Sequence, residues 1–226
     1  MGIKTYETQH GSLTRETFGF SYPDFITGKS HIIVPDYYLT MGKFWNDQLH
    51  NPTTFASVGN DYYADKMENI PEDGSILIVS SQLHVEQLAS LAVELAKQYP
   101  SLTIIYKTRP SESFCHERLQ QLFLPYSTIR LINNEVDIKT LLHRSTLAVM
   151  IYSTVFFEAL HFGTKIAIYK ACDYKHLSDY FSLPNVYLFE SIRELHAIYL
   201  KEKVVSNISV YEKFDRHAFE SLISRE

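Results

Sequence analysis

From residue 75 onward the chain alternates between two hydrophobic periods. Short, nearly continuous apolar runs appear at "SILIVSS" (75–81), "SLTIIYK" (101–107), "STIRLI" (127–132), "TLAVMIY" (146–152), "KIAIYK" (165–170) and "NVYLF" (185–189). Between them lie stretches with helical spacing. In "HVEQLASLAVELAKQY" (84–99), Leu88, Leu91, Ala92, Leu95 and Ala96 share one face. "SESFCHERLQQLFL", "VDIKTLLHRS", "TVFFEALHF", "YKHLSDYF" and "SIRELHAIYL" complete the series. Runs that are apolar throughout, rather than alternating, mark strands covered on both faces. Six strand–helix units in succession therefore predict an α/β fold, a Rossmann-like parallel sheet flanked by helices with right-handed crossovers.

Residues 1–74 read differently. They are rich in Tyr, Phe, Gly and Pro and offer only short strand candidates, "DYYLTMG" (36–42) and "FASVG" (55–59), with no evident core of their own. The turn-forming "PEDGS" at 71–75 marks the expected boundary. Two regions follow: a leading segment, 1–74, and a Rossmann-like domain, 75–226.

In a parallel open sheet, ligands bind beyond the carboxyl ends of the strands. Reading those ends collects Ser80-Ser81-Gln82, Lys107-Thr108-Arg109-Pro110, Asn133-Asn134, Ser153-Thr154 and Tyr169-Lys170 on one rim. The rim is polar, with hydroxyls, amides and cations. If Thr154 caps the helix after it, the free N–H groups and positive end of that helix suit a phosphate. Glu158 follows four residues later on the same face, about 6 Å along the axis, a separation that matches a phosphate and a ribose diol. The bland alternative, a Ser/Thr-x-x-Glu capping box, needs a spacing of three and finds four or five here. A carboxylate held by the helix dipole alone stays open as a reading of Glu158.

The "KTRPSE" loop, Lys107 to Glu112, places two cations before a helix start, where they could neutralise a diphosphate. Pro110 would stiffen it. The competing reading is a charged surface turn. In "TQHGSL" (8–13), His10 could serve as a general base near neutral pH, or be one more exposed histidine.

Bulk properties narrow the function classes. The 226 residues are 45% hydrophobic and 21% charged, with a net charge of −5, which argues against a nonspecific nucleic-acid binder that needs basic patches. The two cysteines, Cys115 and Cys172, have no metal-like spacing and fit a reduced, cytoplasmic setting. No acidic metal motif stands out, and no metal or separate cofactor is expected. "MGIKTYETQHG" lacks the apolar region of a signal peptide, and no run reaches the length of a membrane helix.

The three polar clusters, in this order, resemble bacterial surface-polysaccharide glycosyltransferases of the two-lobed GT-B fold. These include capsule-type transferases, polysialyltransferase-like enzymes and the poly(glycerol phosphate) transferases. That group carries a "K-x-H-P-x-E" loop and an "S-[ST]-x-x-x-E-A" segment, which read here as "KTRPSE" and "STVFFEA". It also carries "Q-H-G", "P-D" and "G-x-x-W" elements, compared here with "TQHG" (8–11), "VPDYYLTMGKFW" (34–45) and "ASVGN" (56–60). The resemblance implies the carboxy-terminal, donor-binding lobe of a transferase. Its substrate would be a nucleotide-sugar of CMP, CDP or UDP type and its acceptor a glycan or glycolipid, at the inner face of the membrane in surface polysaccharide synthesis.

By the same resemblance, Ser153 and Thr154 hold donor phosphate and Glu158 the ribose. Ser81, Gln82, Lys107, Arg109, Pro110 and Glu112 lie at the nucleotide, and His10 lies in the cleft between lobes as base or phosphate contact. Two departures stand out. Arg109 replaces the loop histidine, and arginine binds phosphate but gives up no proton near neutral pH. The chain also begins almost at "QHG", so the leading segment reads as the remnant of an amino-terminal lobe, with a separate amino-terminal lobe or a second copy of the chain as expected partner. A UDP-sugar 2-epimerase on the same architecture, or a non-catalytic nucleotide-binding subunit of a split transferase, are the rival expectations.

Overall fold

The central strands of the large sheet show why the chain folds as it does. In the computed structural model, which describes residues 3–14, 22, 32–47, 52–65 and 70–224, β4 (Ile76–Val79) and β7 (Leu147–Met150) are buried at every position. The outer strands β6 (Ile129–Ile132) and β9 (Val186–Phe189) each keep partly exposed or exposed residues. Full burial therefore falls to the middle strands and partial exposure to the edges, as covering both faces requires.

With β5 (Ile104–Lys107) and β8 (Lys165–Tyr169), these strands form a six-stranded sheet in the order β6-β5-β4-β7-β8-β9, parallel throughout. The covering helices are α3 (Val85–Gln98), α4 (His116–Phe123), α5 (Ile138–Arg144), α6 (Val155–Phe162) and α7 (Ile192–Tyr199). Helix α3 buries Leu88, Leu91, Ala92, Leu95 and Ala96, the stripe read from its periodicity, together with Val85, Ala89 and Val93. Helix α6 is buried almost all round and stops at Gly163, whose φ of 69° takes the left-handed cap that favours glycine. Its N–H and that of Thr164 then close back on Leu160 and Ala159. Compared with the sequence reading, the "YKHLSDYF" stretch forms a 3₁₀ segment, Tyr174–Tyr180, and another 3₁₀ segment, Pro110–Cys115, precedes α4.

The chain divides into two compact units, residues 67–207 around this sheet and residues 1–66 together with 208–226. The second division differs from the expected 75–226. The tail leaves the large sheet and returns to the leading segment. That segment has a core the sequence reading did not see: β1 (Tyr6–Thr8), β2 (Tyr37–Thr40) and β3 (Thr54–Ser57) form a parallel sheet, joined by short helices α1 (Lys43–Asn46) and α2 (Asp61–Ala64). Trp45 is fully buried against Tyr211 of the tail, which also stacks on Tyr63. Three backbone bonds sew the tail down: Glu212 N–H to Met41 O, Asn60 N–H to Glu212 O, and Asp215 N–H to Val58 O. Gly59, at φ 75°, comes so near that an added Cβ would lie 2.0 Å from Lys213 O, so the approach excludes any side chain there. Helix α8 (Arg216–Ile223) ends the described tail. Among the described residues no helix is long and apolar enough to cross a membrane.

Candidate functional site

Counted in chain order within the large sheet, the strands run 3-2-1-4-5-6, and the order reverses between β4 and β7. A crevice beyond the carboxyl ends at such a reversal is where doubly wound sheets bind nucleotides. The loops that meet there follow β4, β5 and β7.

The loop after β7 carries the central contact. Ser153 is 1% exposed, and its Oγ accepts from Arg109 Nη2 at 3.2 Å and from Val155 N–H at 3.3 Å. Two residues 44 apart in sequence thus meet across the switch point. Ser153 also does the capping expected of Thr154. Thr154 stands one residue before α6 with helical dihedrals, φ −62° and ψ −24°, and its exposed side chain makes no cap bond. A helical backbone points that hydroxyl away from the first N–H groups, while Ser153 forms a local turn with Val155.

The loop after β5 is stapled from inside. Glu112 is fully buried. Its Oε2 accepts from Arg109 N–H at 3.1 Å and its own N–H donates to Arg109 O at 2.9 Å. Pro110 opens the 3₁₀ segment at a position that needs no donor. This closed loop aims the Arg109 side chain at Ser153. Glu112 therefore faces the loop's own backbone and not the rim, and its Oε1 has no hydrogen-bond partner. Lys107 is turned inward too: its Nζ donates to Thr108 O and to Asn133 O, tying β5 to the end of β6. Burial draws its pKa below the ordinary lysine value, opposed by Glu135, Asp137 and Glu112. Of the two loop cations, Arg109 is the one that reaches the switch point.

Glu158, in the first half of α6, is 8% exposed and its Oε2 has no hydrogen-bond partner. Burial pushes its carboxyl up to about 7, with Lys139 pulling it down and Asp137 pushing it further up. Both belong to the start of α5, so Glu158 faces the element that leaves the β6 end of the rim. Ser81 is buried with its carbonyl receiving His84 N–H at 2.7 Å, whereas Gln82 is exposed. The structure thus joins Arg109, Glu112 and Ser153 through hydrogen bonds, and holds Ser81 and Thr154 on adjoining loops, Lys107 at the end of β5 and Glu158 in α6. His10 belongs to the other unit. It is exposed after β1, and its neighbour Gln9 accepts from Met41 N–H at 2.8 Å and donates to Gly11 O at 2.7 Å.

The sequence reading missed His84, Tyr152, Asp173 and His176, all in loops beyond carboxyl strand ends. His84 Nε2 lies 3.1 Å from Asp173 Oδ2, linking the β4 loop to the β8 loop. The available cue was their position near a strand end: His84 lies two residues past Gln82, Asp173 and His176 lie three and six past Lys170, and Tyr152 directly precedes Ser153. Among the described residues no group of three or more His, Cys, Asp or Glu side chains is arranged to hold a metal ion.

No family model and no curated protein sequence matches this chain. Solved structures do. The UDP-GlcNAc 2-epimerase of Methanocaldococcus jannaschii, in complex with UDP-GlcNAc and UDP, matches 84% of this chain and 60% of its own at 14% identity and a TM-score of 0.55. The UDP-GlcNAc 2-epimerase of Neisseria meningitidis, bound to UDP-GlcNAc, matches the same shares at 13% identity and a TM-score of 0.56. A glycosyltransferase from Rickettsia africae matches 86% of this chain and 60% of its own at 12% identity and a TM-score of 0.50. The chain spans about 60% of the length of each. At these identities the likeness is one of fold, and the fold is the α/β, Rossmann-like architecture shared by GT-B glycosyltransferases and UDP-GlcNAc 2-epimerases.

Proposed function

We propose that this chain is a nucleotide-sugar-dependent glycosyltransferase, or the donor-binding lobe of one, acting in surface polysaccharide synthesis. The carrying observation is the Arg109–Ser153 contact at the switch point, with the unpartnered, buried carboxylate of Glu158 on the same helix that Ser153 caps. A guanidinium and a hydroxyl suit a nucleotide phosphate, and a buried carboxylate without a donor suits a ribose diol, whose two O–H groups would supply what the protein does not. The similar fold of proteins solved with UDP-GlcNAc supports the same use of the rim.

In this reading Arg109 and Ser153 stabilise the charge on the departing phosphate. Lys107 and Glu112 shape the loop that presents Arg109, and Gln82 and Thr154, both exposed on the rim, are free to move to the ligand. His10 is assigned to the acceptor side, as base or phosphate contact. The acceptor is a glycan or glycolipid, with no cofactor beyond the donor and with peripheral membrane association. A separate amino-terminal lobe or a second copy completes the enzyme.

Calorimetry with CMP, CDP and UDP tests the site. Micromolar to millimolar binding by the native chain, reduced at least tenfold in Glu158→Ala, is expected. Equal affinity in both proteins removes Glu158 from the ribose. The second reading, a UDP-sugar 2-epimerase, is favoured by the TM-scores of 0.55 and 0.56 to two such enzymes. Appearance of the 2-epimer from UDP-N-acetylglucosamine, without any acceptor, would select it.

A further inference from the structure

Arg109 gives up no proton near neutral pH, and Glu158, whose carboxyl is pushed up to about 7, is committed to the ribose in the proposed reading, so the switch point as described has no uncommitted group to take a proton from an acceptor hydroxyl. Such a group lies one loop away. The chain after β8 turns at Asp173, which takes left-handed dihedrals, φ 69° and ψ −2°. His176 N–H then closes back on Asp173 O at 3.1 Å, which sets the His176 ring beside the Asp173 carboxylate. The two carboxylate oxygens face different histidines. Oδ2 lies 3.1 Å from Nε2 of His84, which is 5% exposed and whose Nδ1 is 3.1 Å from Gln87 Oε1. Oδ1 lies 4.0 Å from Nε2 of His176, which is 46% exposed. The His176 ring packs on Tyr152, 5.0 Å between centroids, and Tyr152 is the residue before Ser153.

A buried histidine thus anchors a carboxylate, the carboxylate orients an exposed imidazole, and the imidazole packs on Tyr152, the residue before the one that receives Arg109. The order is that of a catalytic base held by a second group and that group by a third. Four loops are tied together in the process: Arg109 links β5 to β7, and His84 with Asp173 links β4 to β8. A 4.0 Å separation is in ion-pair range and longer than a hydrogen bond, as unliganded catalytic pairs often are.

We propose that His176 is a further catalytic residue, the proton acceptor for the attacking hydroxyl in place of His10, with Asp173 and His84 as its positioning residues. The proposal rests on the transferase reading of the same rim. The acceptor hydroxyl gives its proton to the His176 imidazole as its oxygen bonds to the anomeric carbon of a nucleotide-sugar, or to the glycerol-bearing phosphorus of CDP-glycerol. The bond from that atom to the leaving phosphate oxygen breaks, and its electron pair leaves with the nucleotide toward Arg109 and Ser153. The imidazolium is stabilised by Asp173 and returns its proton to solvent.

The test uses the whole chain with UDP-N-acetylglucosamine, CDP-glycerol and a CMP-sugar as donors and water or a glycan as acceptor. His176→Gln is expected to lower turnover roughly 100-fold while UDP, CDP or CMP affinity stays within twofold, and imidazole in the buffer restores part of the turnover of His176→Ala. Asp173→Asn, whose side chain tolerates the left-handed backbone, is expected to lower turnover with unchanged nucleotide affinity. Turnover of His176→Gln equal to that of the native chain overturns the proposal. So does a loss of turnover in His176→Ala that is matched by lost nucleotide affinity and is not restored by imidazole. A native chain that binds nucleotide but turns over none of the three donors overturns it and leaves the donor-binding reading standing. A native chain that binds no nucleotide overturns both.

Discussion

Two buried charges at opposite ends of the large sheet are treated in opposite ways. Lys165 opens β8 at the amino end and is 2% exposed; its Nζ donates to Tyr199 O at 2.7 Å, Lys201 O at 2.5 Å and Ile198 O at 3.3 Å. It spends every donor on the carbonyls that end α7, which a helix terminus leaves unsatisfied. Glu158, after the carboxyl end of β7, is 8% exposed and keeps an oxygen with no partner. A buried ion with three partners is part of the scaffold. A buried ion with an idle oxygen costs stability, a cost that folds tolerate where a ligand supplies the missing partner. In the proposed reading, the idle oxygen of Glu158 is left for the donor, whereas Lys165 serves the fold.

The contrast can be broken or sharpened in order of effect. Lys165→Ala strands the carbonyls at a buried helix end and should lower stability by about 4 kcal/mol, read as the urea midpoint, with nucleotide affinity unchanged where folding persists. Glu158→Gln should do the reverse. Its folded pKa of about 7 lies above the usual carboxylate value of 4.5, so holding the charged form costs stability that is absent below pH 4.5, grows as pH rises and is complete above 7. The variant should therefore match the native chain near pH 4.5 and exceed it by about 3 kcal/mol at pH 8.5, while losing nucleotide affinity. A lower midpoint at pH 8.5 would show that the carboxylate is stabilised and not idle.

Ser153→Ala removes the acceptor of both Arg109 and Val155 N–H and should weaken nucleotide binding about tenfold, with about 1 kcal/mol of stability lost. Thr154→Val should change the thermal midpoint least, by under about 0.5 kcal/mol, because its hydroxyl caps nothing. A larger loss in Thr154→Val than in Ser153→Ala would reverse the capping assignment.

How much of this was legible differs by element. The apolar runs at 76–79 and 147–150 announced central strands because every position in them is covered. Helix α3 announced its buried stripe through its period. The tail did not announce its destination: none of the α8 residues is buried, and its partners, Met41, Val58 and Asn60, lie 152 to 171 residues earlier. Nor did the leading segment announce a core, because that core closes only when Tyr211 and Val210 are laid over Trp45 and Gly42. At the rim, residue types were readable and their aim was not. Lys107 and Arg109 look interchangeable in "KTRPSE", yet one is drawn inward by the carbonyl of Asn133 and the other is pointed outward by Glu112.

Taken by itself, the amino-acid sequence determined the class of the large sheet, the succession of its strands and helices, and the polar loops at its carboxyl ends. Those follow from period and local chemistry, which are properties of near neighbours along the chain. Only the tertiary structure decided that Arg109 meets Ser153, that Asp173 stands between two histidines, that Glu158 is left with an idle oxygen, and that residues 208–226 close the smaller sheet. Each of these depends on strand order and crossover paths, which bring distant residues within hydrogen-bond range and leave no periodic trace in the sequence.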